Sequence, residues 1–114
     1  SSQMLSQVWD NLLSNAIKFS YPNGHLGVRC FRRGDKILVE VEDSGIGMDQ
    51  AILLHAFDKF YQGDRSHAKA GNGLGLSIVK RILELCGGTI SLFSRTGHGT
   101  TATVVLPADE VTEN

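Results

Sequence analysis

Little in this chain of 114 residues points to cross-links, and no sign of charge dominates it. It carries two cysteines, Cys30 and Cys86, far apart in sequence and outside any CxxC or Cys/His cluster. No zinc site is expected, and the expectation is two buried free thiols in a reducing compartment. Eleven basic residues face twelve acidic ones, a formal net charge of −1. There is thus no basic field to draw nucleic acid or an anionic membrane surface. Apolar runs last only a few residues, so neither a membrane-spanning helix nor a signal peptide is expected. Proline occurs only as Pro22, in a turn, and Pro107, at the end of the last strand segment.

What the chain does have is glycine. There are thirteen, clustered at 45–47, 71–75, 87–88 and 97–99. With 41% hydrophobic and 20% charged residues, the composition is that of one globular domain with a single core. A domain over 1–108 followed by an acidic tail, 109–114, is the organisation these features suggest.

The first strong pattern is Gln7 to Ser20, QVWDNLLSNAIKFS. Val8, Leu12, Leu13, Ala16, Ile17 and Phe19 recur at three- and four-residue spacing and predict the buried face of a helix. That helix should start near Ser2 or Gln3 and stop before Tyr21-Pro22-Asn23-Gly24. Asn11, Asn15 and Lys18 fall at i, i+4 and i+7, in one row along it. Asn is a poor helix former that competes for its own backbone, so this row is not an ordinary solvent face. The bland alternative is a cap at Asn11 and an incidental Asn15. The sharper reading is a site of neutral oxygens and one cation, chemistry that suits hydrated Mg²⁺ and the phosphates accompanying it.

Further along, alternation at Leu26, Val28 and Cys30, and again at Ile37, Val39 and Val41, predicts an antiparallel hairpin with one face covered. A short helix is expected between Met48 and His55, capped at Met48 or Asp49, and an aromatic segment, Phe57-Asp58-Lys59-Phe60-Tyr61, follows. Residues 62–72 have no periodicity and read as a mobile loop, and at that length such loops are usually functional. Leu76, Val79, Ile82, Leu83 and Cys86 predict a second long helix, stopped by Gly87-Gly88. Thr89 to Ser94 and Thr100 to Leu106 form a second expected hairpin. The order gives an α+β plan, one sheet with helices on one face.

Two glycine motifs frame the chemistry. Asp43-Ser44-Gly45-Ile46-Gly47 ends a strand with a carboxylate, which can accept from the exocyclic amine of a purine, and with glycines that let backbone approach closely. Taken singly it is also an ordinary turn. Gly71-Asn72-Gly73-Leu74-Gly75-Leu76-Ser77 feeds a helix N-terminus, where backbone N–H groups and the dipole favour phosphate. It lacks the GK[ST] of a P-loop and the GxGxxG of a dinucleotide site. A lid hinge is the alternative, and the two roles are compatible.

Together, and in this order, the motifs resemble a known set. NLLSNAIKFS resembles the N box, DSGIGM the first glycine box, FDKFYQ the F box and GNGLGLSIVK the second glycine box of sensor histidine kinases. Gly99-Thr100-Thr101 is similar to the glycine-threonine element before the last strand. The resemblance covers nearly the whole chain. It implies the catalytic, ATP-binding domain of the GHKL superfamily, a Bergerat-type two-layer α/β sandwich with a mixed sheet, three helices on one face and a mobile ATP lid.

Carried over by position, the resemblance implies ATP and Mg²⁺ as cofactors, with Asn15 as main metal ligand, Asn11 beside it and Lys18 on a phosphate. Phe19 stands where the family often has Tyr, leaving only stacking or packing. Asp43 would hold the adenine amino group. Gly45 and Gly47 would shape the pocket, and Ile46 and Met48 would line it. Gly71, Gly73, Leu74, Gly75 and Leu76 would close over the phosphates as the lid's end. Phe57, Phe60 and Tyr61 would anchor its start, or simply pack. Lys59, Arg65 and Lys69 are candidates for the γ-phosphate, with solvated loop charge as the alternative. Thr100 or Thr101 would close the far side, or be ordinary strand residues.

The family's nucleophile is a histidine on a separate dimerisation domain. None of His25, His55, His67 and His98 is followed by the acidic residue and Pro of its phosphoacceptor motif. The implied partners are therefore ATP, the histidine-containing domain of the same parent and, downstream, a response regulator, the domain itself being cytoplasmic. Gyrase-, Hsp90- and MutL-like ATPases place a Glu four residues before the metal-binding Asn. Here that position is Asn11, and Asp10 points about 100° away around the helix. A degenerate nucleotide-binding module, or another GHKL ATPase, are the competing readings. The family usually has a short strand before helix one, so the sheet is expected to lack one edge strand.

Overall fold

The computed structural model describes residues 2–59 and 75–108. Its elements run α1 (Ser2–Phe19), β1 (Leu26–Arg33), β2 (Lys36–Asp43), α2 (Gln50–Leu54), α3 (Gly75–Leu85), β3 (Thr89–Arg95) and β4 (Gly99–Pro107). The four strands form one sheet in the order β1-β2-β4-β3. All three pairings are antiparallel, so the mixed sheet expected from the family resemblance is corrected among the described strands. The reason is topological. β2 and β3 run in the same direction, joined by the crossover that contains α2 and α3, and β4 inserts between them.

Alternation decides which residues face the helices. Val39 and Val41 on β2 and Ala102, Val104 and Leu106 on β4 point to that side and are buried. They meet Leu5, Val8, Leu12 and Ala16 of α1 and Val79, Ile82 and Leu83 of α3 in one core. Gly87 ends α3 in a left-handed conformation, φ 76°. The Gly88 N–H donates to the Leu83 carbonyl at 2.7 Å and the Gly87 N–H to that of Glu84 at 3.2 Å. This is the Schellman pattern of a glycine-terminated helix. The short α2 is capped at Asp49, whose carboxylate accepts from the Ile52 N–H at 2.9 Å. It has no buried residue, so α1 and α3 supply the helix layer while α2 stands beside β3, sharing a groove with Leu92.

Two expectations about burial are corrected. Ile17 is 66% exposed. At about 100° per residue it lies roughly 135° from the centre of the stripe made by Leu5, Val8, Leu12 and Ala16. Cys30 is exposed while Cys86 is buried. Cys30 pairs with Val39 on the helix side of the sheet, but β1 is an edge strand and α1 packs over β2. The hairpin's covered face therefore stops at β2, and Leu26 and Val28 are left 41% and 56% exposed.

Candidate nucleotide-binding cleft

A cleft with a cavity volume of about 60 Å³, open to solvent, lies between the helix layer and one end of the sheet. Leu12, Asn15, Ala16 and Phe19 of α1 form one wall. Val41, Asp43, Thr100, Ala102 and Leu92 form the sheet side, with Met48 and Leu76 completing it. The lining is mostly apolar with few polar groups, which is how a flat heterocycle is held and oriented.

Asn11, Asn15 and Lys18 lie within about 60° of one another on one flank of α1. All three are half-buried, and among the described residues no hydrogen bond or ion pair engages their side-chain amides or ammonium. Lys18 Nζ stands 5.4 Å from the centroid of the Phe19 ring. Packing of α3 against α1 brings the start of α3 to this row. Asn15 Nδ2 is 3.9 Å from where a Cβ on Gly75 would sit. The positive end of α3's dipole and two unengaged carboxamides thus meet beside a lysine, a setting for anionic oxygens and a hard cation.

The segment after β2 is tied down by backbone rather than side chains. The Ile46 N–H donates to the Phe19 carbonyl at 3.1 Å, and the Ile46 carbonyl accepts from the Gly97 N–H at 2.8 Å. A Cβ at Gly45 would overlap the Phe19 carbonyl. Gly47 has φ 68°, and a Cβ there would overlap the Arg95 carbonyl. The close approach that these glycines permit is to the protein's own backbone, which binds the end of β2 to α1 on one side and to the β3–β4 turn on the other. Asp43 is thereby fixed, with Oδ1 accepting from the Gly45 N–H at 2.9 Å.

A family model described as "Histidine kinase-, DNA gyrase B-, and HSP90-like ATPase" matches residues 1–110. The chain belongs to this ATPase family. It is 41% identical over 111 residues to the circadian input-output histidine kinase CikA of Synechococcus elongatus, covering 96% of this chain and 15% of the relative. With the sensor protein SrrB of Staphylococcus aureus it shares 36% identity over 108 residues, 93% of this chain and 18% of the relative. The chain thus spans less than a fifth of the length of these curated relatives. Among solved structures, the mycobacterial sensor histidine kinase MprB superimposes with a TM-score of 0.83 at 29% identity, covering 94% of this chain and 72% of that one. The catalytic domain of histidine kinase ThkA gives 0.81 at 28% identity, covering 95% and 69%. Full-length ShkA in complex with AMPPNP gives 0.79 at 28%, covering 91% and 21%.

Within this ATPase domain the structure gathers Asn15, Phe19, Asp43, Met48 and Leu76 on one cleft, with Asn11, Lys18 and Gly75 beside it. Ile46 is engaged through its backbone and Thr101 stays outside. Strand alternation sends Thr101 to the outer face, opposite Glu42, and puts Thr100 in the cleft, opposite Asp43. Phe57 lies against Lys80, whose Nζ is 5.2 Å from its ring centroid, and lines the groove along α2 rather than the cleft. Lys59 is exposed. Phe60, Tyr61, Arg65, Lys69, Gly71, Gly73 and Leu74, and with them the expected lid, lie outside the described residues. Sequence reading missed Leu12, Ala16, Val41, Leu92 and Ala102 as lining, because an inward apolar residue looks the same over a core and over a cleft. It also missed Ser94, whose only signal was polarity at an inward strand position.

Proposed function

We propose that this domain binds Mg²⁺-ATP in the cleft and presents the γ-phosphate to a histidine on a separate helical domain of a sensor kinase. The observation that carries the reading is the unengaged row of Asn11, Asn15 and Lys18 at the mouth of an apolar cleft floored by Asp43. No carboxylate belongs to that row, so nothing there is poised to activate water or a hydroxyl, and the domain's contribution is positioning. Among the described residues no histidine lines the cleft.

The adenine ring would lie between Phe19, Met48, Leu76 and Leu92, with its amino group donating to Asp43. Lys18 and the N-terminus of α3 would draw the phosphates to the Asn row. The donor set fits magnesium. Carboxamide oxygens are hard ligands, and Mg²⁺ usually keeps several waters and takes few protein ligands beside the phosphates it accompanies. Asn15, with Asn11 beside it, would hold the ion, which when bound neutralises charge on the phosphate oxygens. The kinship to histidine kinases and the AMPPNP complex of ShkA support this reading. A cytoplasmic setting and a response regulator downstream belong to the same proposal. No described helix is long and apolar enough to cross a membrane.

Calorimetry of ATP binding with and without Mg²⁺ tests it. The wild-type domain should bind ATP with Mg²⁺-dependent affinity. Asn15→Ala should weaken the Mg²⁺-dependent part at least about tenfold, ~1.4 kcal/mol, while the fold is kept, since Ala is the better helix former. Absence of any ATP or ADP affinity in the wild-type domain would exclude the reading.

A further inference from the structure

Three strands place Asp43, Thr100 and Ser94 in one row. Asp43 pairs with Thr100 across β2–β4, and Ser94 with Thr100 across β3–β4. Residues directly opposite in an antiparallel ladder share a face, and here that face is the cleft's. Ser94 itself does not line the cleft, yet its hydroxyl makes three contacts. It accepts from the Met48 N–H at 2.8 Å, donates to the Gly99 carbonyl at 2.9 Å and shares a hydrogen with Thr100 Oγ1 at 2.7 Å.

Counting hydrogens settles the direction of the last one. A serine hydroxyl has one hydrogen and two lone pairs. The Gly99 carbonyl can only accept, so Ser94 spends its hydrogen there. The hydrogen between the two hydroxyls therefore belongs to Thr100, and Ser94's lone pairs are filled by Met48 N–H and Thr100 O–H. Thr100 Oγ1 is left with lone pairs alone to offer the cleft, next to the Asp43 carboxylate, which is itself an acceptor.

We propose that Ser94 is a positioning residue for base selection: it holds Thr100 as an acceptor-only group, so that Thr100 and Asp43 together select a purine bearing an amino group at C6 over one bearing a carbonyl. The inference rests on the nucleotide reading of the cleft. Two adjacent acceptors match the two hydrogens of an exocyclic amine, directly or through a water. They set lone pair against lone pair for the O6 of hypoxanthine or guanine. With Ser94 removed, Thr100 can rotate and donate, and O6 becomes acceptable.

The test compares ATP and ITP, which differ at C6 and in the N1 hydrogen, by equilibrium binding to the folded domain. In Ser94→Ala the ITP-to-ATP ratio of Kd should narrow by about threefold to tenfold, and Ser94→Thr, which retains the hydroxyl, should restore it. Thr100→Val should narrow the ratio similarly, and the double variant should narrow it no further, because both substitutions act through one hydroxyl. A role in stability alone would weaken ATP and ITP by the same factor. That result, or additive effects in the double variant, would overturn the proposal while leaving the ATP site standing. If Ser94→Ala does not fold, Thr100→Val decides, and an unchanged ratio there would equally overturn it. A wild-type domain that binds neither nucleotide would overturn this proposal together with the site.

Discussion

At the residue scale, Asp43 and Asn15 are proposed to do different jobs, and they occupy different places. Asp43 sits on the sheet side of the cleft, among apolar lining, while Asn15 sits on α1 at the start of α3. Substitution at Asp43 should therefore change which base is bound, whereas substitution at Asn15 should change how strongly binding depends on magnesium. Asp43→Ala should reduce the preference for ATP over GTP by roughly tenfold, ~1.4 kcal/mol. Because Asp43 Oδ1 also accepts from Gly45 N–H, the alanine should cost about 1 kcal/mol of stability as well. Asp43→Asn can keep that bond while presenting a donor to the cleft, so it should lose the preference with less loss of stability. Competition binding with the two nucleotides, alongside urea denaturation, separates the two effects, and an unchanged preference in both variants would remove Asp43 from the base site. The residue types at both positions were readable in the sequence. That Thr100 rather than Thr101 joins them was left open there, and the pairing of β4 with β2 decided it.

At the scale of elements, the β2–α2 connection is held by crossings of backbone on backbone. Gly47 combines φ 68° with a Cβ position that would overlap the Arg95 carbonyl. Gly34, at the β1–β2 turn, has a similar φ of 63° but open space around the same position. Gly34→Ala should therefore cost only the conformational term, about 1 kcal/mol. Gly47→Ala adds a steric clash to that term and should cost more than ~2 kcal/mol. Urea midpoints measure both, and equal losses would mean that the turn at Gly47 relaxes away from β3. The sequence marked Gly47 as special but suggested a ligand as the close neighbour. The neighbour is the β3–β4 turn, some fifty residues on, which local sequence does not encode.

For the whole molecule, the helix layer is narrower than the sheet. α1 and α3 cover β2, β4 and part of β3, and β1 is left with Leu26, Val28 and Cys30 exposed. Thiol labelling reads this directly. Cys30 should react with a thiol reagent in the native domain at the rate of an accessible cysteine. Cys86, within the core, should react only as the domain opens, its rate rising steeply with denaturant. Equal native reactivity of the two thiols would mean that α3 is not seated on the sheet.

Periodicity and motif order by themselves determined that α1, α3 and two hairpins exist, that one face of the sheet is covered, and which residue types suit the nucleotide and hard cation proposed for the cleft. These are local properties: a helix stripe, a strand alternation and a cap each depend on neighbours within a few residues. The tertiary structure alone decided that β4 inserts between β2 and β3, which makes the sheet antiparallel and carries Thr100 to Asp43 and Ser94 to Thr100. It also decided that Cys30 and Ile17 face solvent. The physical reason is that burial depends on which element arrives overhead, and a row of polar groups across three strands depends on register. Neither is set by any one segment of the chain.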